Sequence, residues 1–135
     1  MKARESALRL KRFAADEKQR KVADLEHMIR EFDGMANDLD RQIAIEQERA
    51  GVSDTNHYAY PTFAKAAIQR RDNLLASVAD LEAKLASARE TLAEAFEELK
   101  RIELLEERDA ERIKIEQARA AELGAVAGVP HRVAS

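Results

Sequence analysis

Three histidines, His27, His57 and His131, are the residues best suited to metal or acid–base chemistry in a chain that has no cysteine. They fall far apart, and none has a second histidine at helical metal spacing, whereas zinc requires several His, Cys or carboxylate groups that converge on one ion. Carboxylates abound, with 26 Asp and Glu in 135 residues, but paired catalytic acids need surroundings that push their pKa values apart. No glycine-rich phosphate loop occurs, and no serine stands in a nucleophile-elbow context. The expectation is a chain that is not an enzyme and holds no metal and no cofactor.

Cationic chemistry is concentrated in Arg9, Lys11, Arg12, Lys18, Arg20 and Lys21. A long helix with a basic end can enter a nucleic-acid groove, but basic-region helices extend past their zipper with no acid opposite them. Here the acidic stretch from Glu90 to Asp109 lies beside the basic one if the chain folds back. The expectation is no nucleic-acid binding. A solvated, partly neutralised face and a contact with an acidic protein partner both remain open.

The elements that must carry these residues are set by Gly51-Val-Ser-Asp-Thr-Asn-His-Tyr-Ala-Tyr-Pro61, the one interior place where a helical pattern plainly stops. Gly, Ser, Asp, Thr and Asn favour turns, and Pro61 suits the opening of a helix because its missing N–H would be unpaired there anyway. The sequence predicts a first long helix over residues 1–50, a turn over 51–60, a second long helix over 61–123 and a flexible tail over 124–135, with Gly124 ending the second helix. A short connector between two such helices favours an all-α, antiparallel two-helix coiled-coil hairpin with a longer second helix. A single much longer helix that dimerises, with the turn as a mere break, is the alternative.

Composition agrees with an extended helical chain. It is 36% charged and 4% aromatic, without Trp, and about half of it is Ala, Glu, Lys, Leu or Arg in heptad spacing, the signature of a coiled coil. The lack of cysteine fits a reducing compartment. No apolar run approaches the ~18 residues of a membrane span, and the N-terminus lacks the apolar stretch of a secretory signal. A cytoplasmic protein is expected.

In the first helix Leu8, Ala15, Val22, Ile29, Ala36, Ile43 and Ala50 fall seven apart, with Leu25, Phe32 and Leu39 at the complementary spacing. Lys11, Lys18 and Glu46 interrupt that second series, so the seam is expected to be strongest from Val22 to Ile43. Leu10 and Phe13 lie off it. Gly34 marks either a bend or close approach, or a tolerated surface glycine; Met28 and Met35 read as core-edge packing or as a partner-binding surface. In the second helix Leu74, Val78, Leu81, Leu85, Ala88, Leu92, Ala95, Leu99 and Ile102 continue the pattern until Glu106 and Asp109 break it, followed by Ile113, Glu116, Ala120 and Leu123.

Charge points to the same fold-back. Residues 1–21 hold eight Lys/Arg against three Asp/Glu and residues 90–110 hold three against eight, while residues 22–50 hold three against eight and residues 61–89 five against three. Exposed pairs contribute ~0 to 1 kcal/mol each, so they choose orientation and register more than they stabilise. A turn centred near residue 55 or 56 would exhaust the first helix opposite Arg108. The second helix then outreaches it by roughly 20 Å at ~1.5 Å per residue, an arm that gains order from a partner. At the turn, Tyr58, Tyr60 and Phe63 gather three of the six aromatics. They form either an exposed recognition patch or a cap on the open end of the hairpin.

The opening Leu10-x-x-Phe13-x-x-x-Glu17, the long charged heptad after it and the Tyr60-x-x-Phe63 start of a second long helix together resemble the flagellar export protein FliJ family, most closely its alphaproteobacterial branch, over residues 5–120. The resemblance implies a non-enzymatic component of the flagellar type III export apparatus, an antiparallel two-helix coiled coil similar to the central stalk of rotary ATPases. Such proteins insert into the hexameric ring of the export ATPase, promote its assembly and turnover, touch the cytoplasmic part of the membrane export gate and handle export chaperones. The implied location is the cytoplasm, peripheral to the inner membrane at the flagellar base, with the isolated protein a monomer not inserted in the bilayer. Carried onto this chain, the ATPase-ring contact comprises Leu8, Arg9, Arg12, Phe13, Arg108, Arg112 and Ile113, and the gate contact Phe63, Ala67, Arg70 and Leu74. Arg70 departs from the small or apolar character expected there, and Ala67 is smaller than expected. Tyr58 and Tyr60 are the candidate partner patch outside both sets. A coiled-coil adaptor or holdase unrelated to flagella is the alternative function.

Overall fold

The computed structural model describes residues 2–128. Two helices, α1 (Lys2–Ala50) and α2 (Thr62–Gly128), account for all regular structure among the described residues and pack on each other as an all-α hairpin. The chain reverses at the connector instead of continuing as one helix. It divides into two compact units, Asp16–Ala93, and Met1–Ala15 with Glu94–Ser135.

The Asp16–Ala93 unit contains the turn. Gly51, at φ 69°, takes the left-handed position after α1, donating to the Glu48 carbonyl at 3.2 Å while Val52 donates to the Gln47 carbonyl at 3.3 Å. These paired bonds satisfy the last carbonyls of the helix, and glycine fills the position because it has no Cβ to clash there. Beyond it the Asp54 carboxylate accepts from the Asn56 amide at 2.9 Å and His57 Nδ1 accepts from the Ala59 amide at 3.0 Å. The Pro61 carbonyl then accepts the first bond of α2, from Lys65 at 3.1 Å. Pro61 therefore caps α2 from just outside.

Two clusters hold this unit. Leu39, Ile43 and Ala67 are buried together, with Ile68 and Leu74 packed on them; Val22, Leu25 and Leu85 form the second, with Ile29, Leu81, Ala88 and Leu92 at its edge. Rising numbers on α1 meet falling numbers on α2, so the helices are antiparallel, and the heptad spacing supplies both sides of the seam. The seam also runs closer to the turn than the Leu74 start expected for it, since Ala64 and Ala67 are almost wholly buried. Arg71 occupies the next seam position, half-buried, and reaches Asp40 across the interface at 2.9 Å and Asp72 at 3.1 Å. The hydrogen bonds that Arg71 donates to Asp40 and then to Asp72 push its pKa further above its ordinary value. Arg89 pairs with Glu26 at 3.7 Å.

Gly34 is exposed, and a Cβ there would meet nothing within 4 Å. No close approach explains it, which leaves a tolerated surface glycine. Gly34→Ala is expected to stabilise the protein by ~0.5 to 1 kcal/mol, because alanine loses less backbone entropy in a helix. The urea midpoint followed by helical circular dichroism checks this; a lower midpoint would show that the position needs glycine. Met28 and Met35 are exposed at 45% and 51%, so they lie outside the core.

In the other unit Leu8 and Ala15 are the buried apolar residues. Lys11 pairs with Glu98 at 2.7 Å and Arg4 pairs with Asp109, both between helices and both partly solvated. Glu106, Asp109 and Ile113 are half-buried, and every described side chain from Lys114 to Ala125 is exposed. The pattern change at Glu106 therefore announces the end of the packed region slightly early. α2 does not stop at Gly124 but continues to Gly128. One glycine lowers helix propensity by only about 1 kcal/mol, and no proline follows until Pro130. The rest of the expected tail, and His131, lie outside the described residues.

Candidate functional site

No polar or charged side chain is buried among the described residues, and no group of three or more His, Cys, Asp or Glu among them is placed to hold a metal ion. What the fold provides is surface.

The residues assigned to ring contact all belong to the unit that contains Leu8, but they do not form one face. Leu8 is 8% exposed and is a seam residue. Arg9 and Phe13 line one open groove with Ser6 and Leu10, about 460 Å³ in volume, and Leu10 and Phe13 are 70% and 61% exposed. An α1 that faces α2 through Leu8 and Ala15 must turn Leu10 and Phe13 elsewhere, since two and five residues past Leu8 correspond to ~200° and ~140° around the helix. Arg12 instead lines a groove with Glu103, Glu106 and Glu107. Arg112 donates to Asp109 at 3.0 Å, Arg108 is exposed, and Ile113 lines a groove with Ala3 and Arg4.

The residues assigned to the gate separate more sharply. Phe63 is 58% exposed, whereas Ala67 is 3% exposed in the core cluster and Leu74 packs against that cluster. Ala67 and Leu74, seven apart, lie on the stripe that α1 covers, whereas Phe63 and Arg70, seven apart from each other, lie off it. Arg70 is exposed and shares an open groove with Met35, Asp38, Gln42 and Asn73.

At the turn the two tyrosines part company. Tyr58 is 95% exposed and its ring stacks on His57 with centroids 4.6 Å apart. Tyr60 is 5% exposed, and its hydroxyl accepts a hydrogen bond from Gln47 Nε2 at 2.9 Å. Tyr60 is thus the cap over the open end of the hairpin and leaves the candidate partner patch to Tyr58. The spacing of two across a non-helical turn carries no sign of which ring faces in.

No helix among the described residues is long and apolar enough to cross a membrane. Comparison with family models, with curated proteins and with solved structures gives no match for the chain.

Proposed function

We propose that this protein is a coiled-coil stalk and escort of the flagellar type III export apparatus, a non-enzymatic partner that binds and activates the export ATPase ring and links it to the export gate and export chaperones. The proposal rests on the sequence resemblance, and the observation that best supports it is the exposed Arg9, Leu10 and Phe13 surface on a helix whose opposite side is occupied by the seam. Exposed apolar side chains beside an arginine are the composition of a protein contact, and aromatic and arginine residues dominate such contacts energetically. The α2 segment beyond Ile113, solvated on all its described sides, offers further helical surface to a ring. The reading places the protein in the cytoplasm at the flagellar base.

ATP hydrolysis by the export ATPase of the same organism, with this protein titrated in, tests the reading. A saturable rise that survives moderate salt is expected. An active ATPase that shows no rise with folded protein would leave a coiled-coil adaptor with another partner. Tyr58, 95% exposed at the turn, is the specific observation in favour of that second reading.

A further inference from the structure

In the Asp16–Ala93 unit, three lysines converge on one groove that neither the seam nor the proposed contacts use. Lys18 and Lys21, one turn apart on α1, face Lys84 on α2, and the groove between them is about 240 Å³, lined also by Ser87, Ala88 and Thr91. The groove exists because α2 contributes short side chains at the two positions one and two turns past Lys84, over a floor in which Ala88 packs on the Val22, Leu25 and Leu85 cluster. No carboxylate lines it.

The surrounding cations are treated differently. Lys11 is engaged by Glu98 at 2.7 Å, Arg20 by Glu17 at 2.6 Å and Arg89 by Glu26 at 3.7 Å. Among the described residues Lys18, Lys21 and Lys84 make no ion pair. Of the two carboxylates one turn from Lys21 on its own helix, Glu17 is turned to Arg20 and Asp24 makes no ion pair. Three like charges held around a small concavity repel one another, and an anion that enters it relieves all three interactions at once.

We propose that this groove binds a phosphorylated anion of two or more negative charges, of the diphosphate type. Lysine ammonium groups act on phosphate as flexible point charges and do not require the planar geometry that arginine imposes. The groove is open to solvent, so an entering diphosphate keeps part of its hydration. Of the two hydroxyls, Thr91 donates to the Ser87 carbonyl at 3.0 Å, so Ser87 is the one that supplies a donor to the anion. The same chemistry is offered by free diphosphate and by the phosphate headgroups of an anionic lipid surface.

Amide chemical shifts of the full chain, titrated with inorganic pyrophosphate at constant ionic strength, test the site. Saturable shifts at Lys84, Ser87 and Ala88 are expected, with saturation lost in Lys21→Gln with Lys84→Gln and retained in Lys11→Gln, which removes an equally cationic but engaged lysine. Shifts that rise without saturation, or that Lys11→Gln abolishes equally, would overturn the proposal. Because all three side chains are solvated, circular dichroism of the variants is expected to match the parent. A second arm uses vesicles containing phosphatidylglycerol. Binding that depends on Lys21 and Lys84 and is displaced by pyrophosphate assigns the groove to headgroups, pyrophosphate binding without vesicle binding assigns it to a soluble anion, and failure of both removes the site.

Discussion

Leu85→Ala is expected to lower stability by about 2 to 3 kcal/mol, the lower part of the range for a buried leucine. Leu85 is 8% exposed and contacts Val22 and Leu25 across the helix interface. The truncation removes apolar burial and leaves a void that the two helices close only in part. A two-helix seam is open to solvent along both sides, which lets it relax more than a globular core and sets the lower figure. The loss is large beside the few kcal/mol by which domains of this size are stable. Leu75→Ala, at a 45% exposed leucine on the same helix, is the matched control and is expected to cost less than about 1 kcal/mol. Urea denaturation of both variants decides the matter, and a larger shift for Leu75→Ala would mean that α2 is rotated away from the face described for it.

On the proposed stalk reading, Arg9→Glu combined with Arg12→Glu is expected to raise by about tenfold the concentration of this protein needed for half-maximal activation of the export ATPase. Two solvated contacts at ~0.7 kcal/mol each correspond to that factor. The helix itself tolerates the change, because both arginines are exposed. The Arg12 substitution does place an acid in the groove formed with Glu103, Glu106 and Glu107, at a cost of a few tenths of a kcal/mol from like-charge repulsion. Arg30→Glu with Arg41→Glu carries the same change in net charge on exposed positions of α1 and separates a local contact from a general charge effect. Equal loss in both double variants would reduce the Arg9 surface to non-specific attraction, and no loss in either would remove it from the ring contact.

The hairpin was legible in the sequence because two independent signals agree on it. Heptad spacing from Val22 to Ile43 and from Val78 to Leu92 marks one apolar stripe on each helix, and the Gly51 to Pro61 stretch holds every residue needed to leave one helix and start another. The first three turns of α2 were less legible. Ala64 and Ala67 are too small to stand out as core, and Arg71 puts a cation where the pattern calls for an apolar residue, a conflict resolved only by Asp40 reaching it from the other helix. Helix termini were uncertain for the same energetic reason at Gly124, where one unfavourable residue is outweighed by its helical neighbours. The candidate contacts were the least legible. Residues at spacings of three, four and seven share a helix face whether that face meets a partner or the chain's own second helix, and Leu8, Ala67 and Leu74 turned out to meet the second helix. The lysine groove was half visible, since Lys18 and Lys21 stand close in sequence while Lys84 joins them only through the fold.

Past Ile113, α2 has solvent where a second helix would be, and this separates two kinds of protection within one continuous element. Amides in the seam exchange their hydrogens only when the helices part, whereas those from Lys114 to Gly128 are guarded by the helix–coil equilibrium alone, which for a segment this short is close to balance. A melting curve read from total helicity therefore blends a gradual unwinding with a cooperative separation, and its midpoint reports neither by itself.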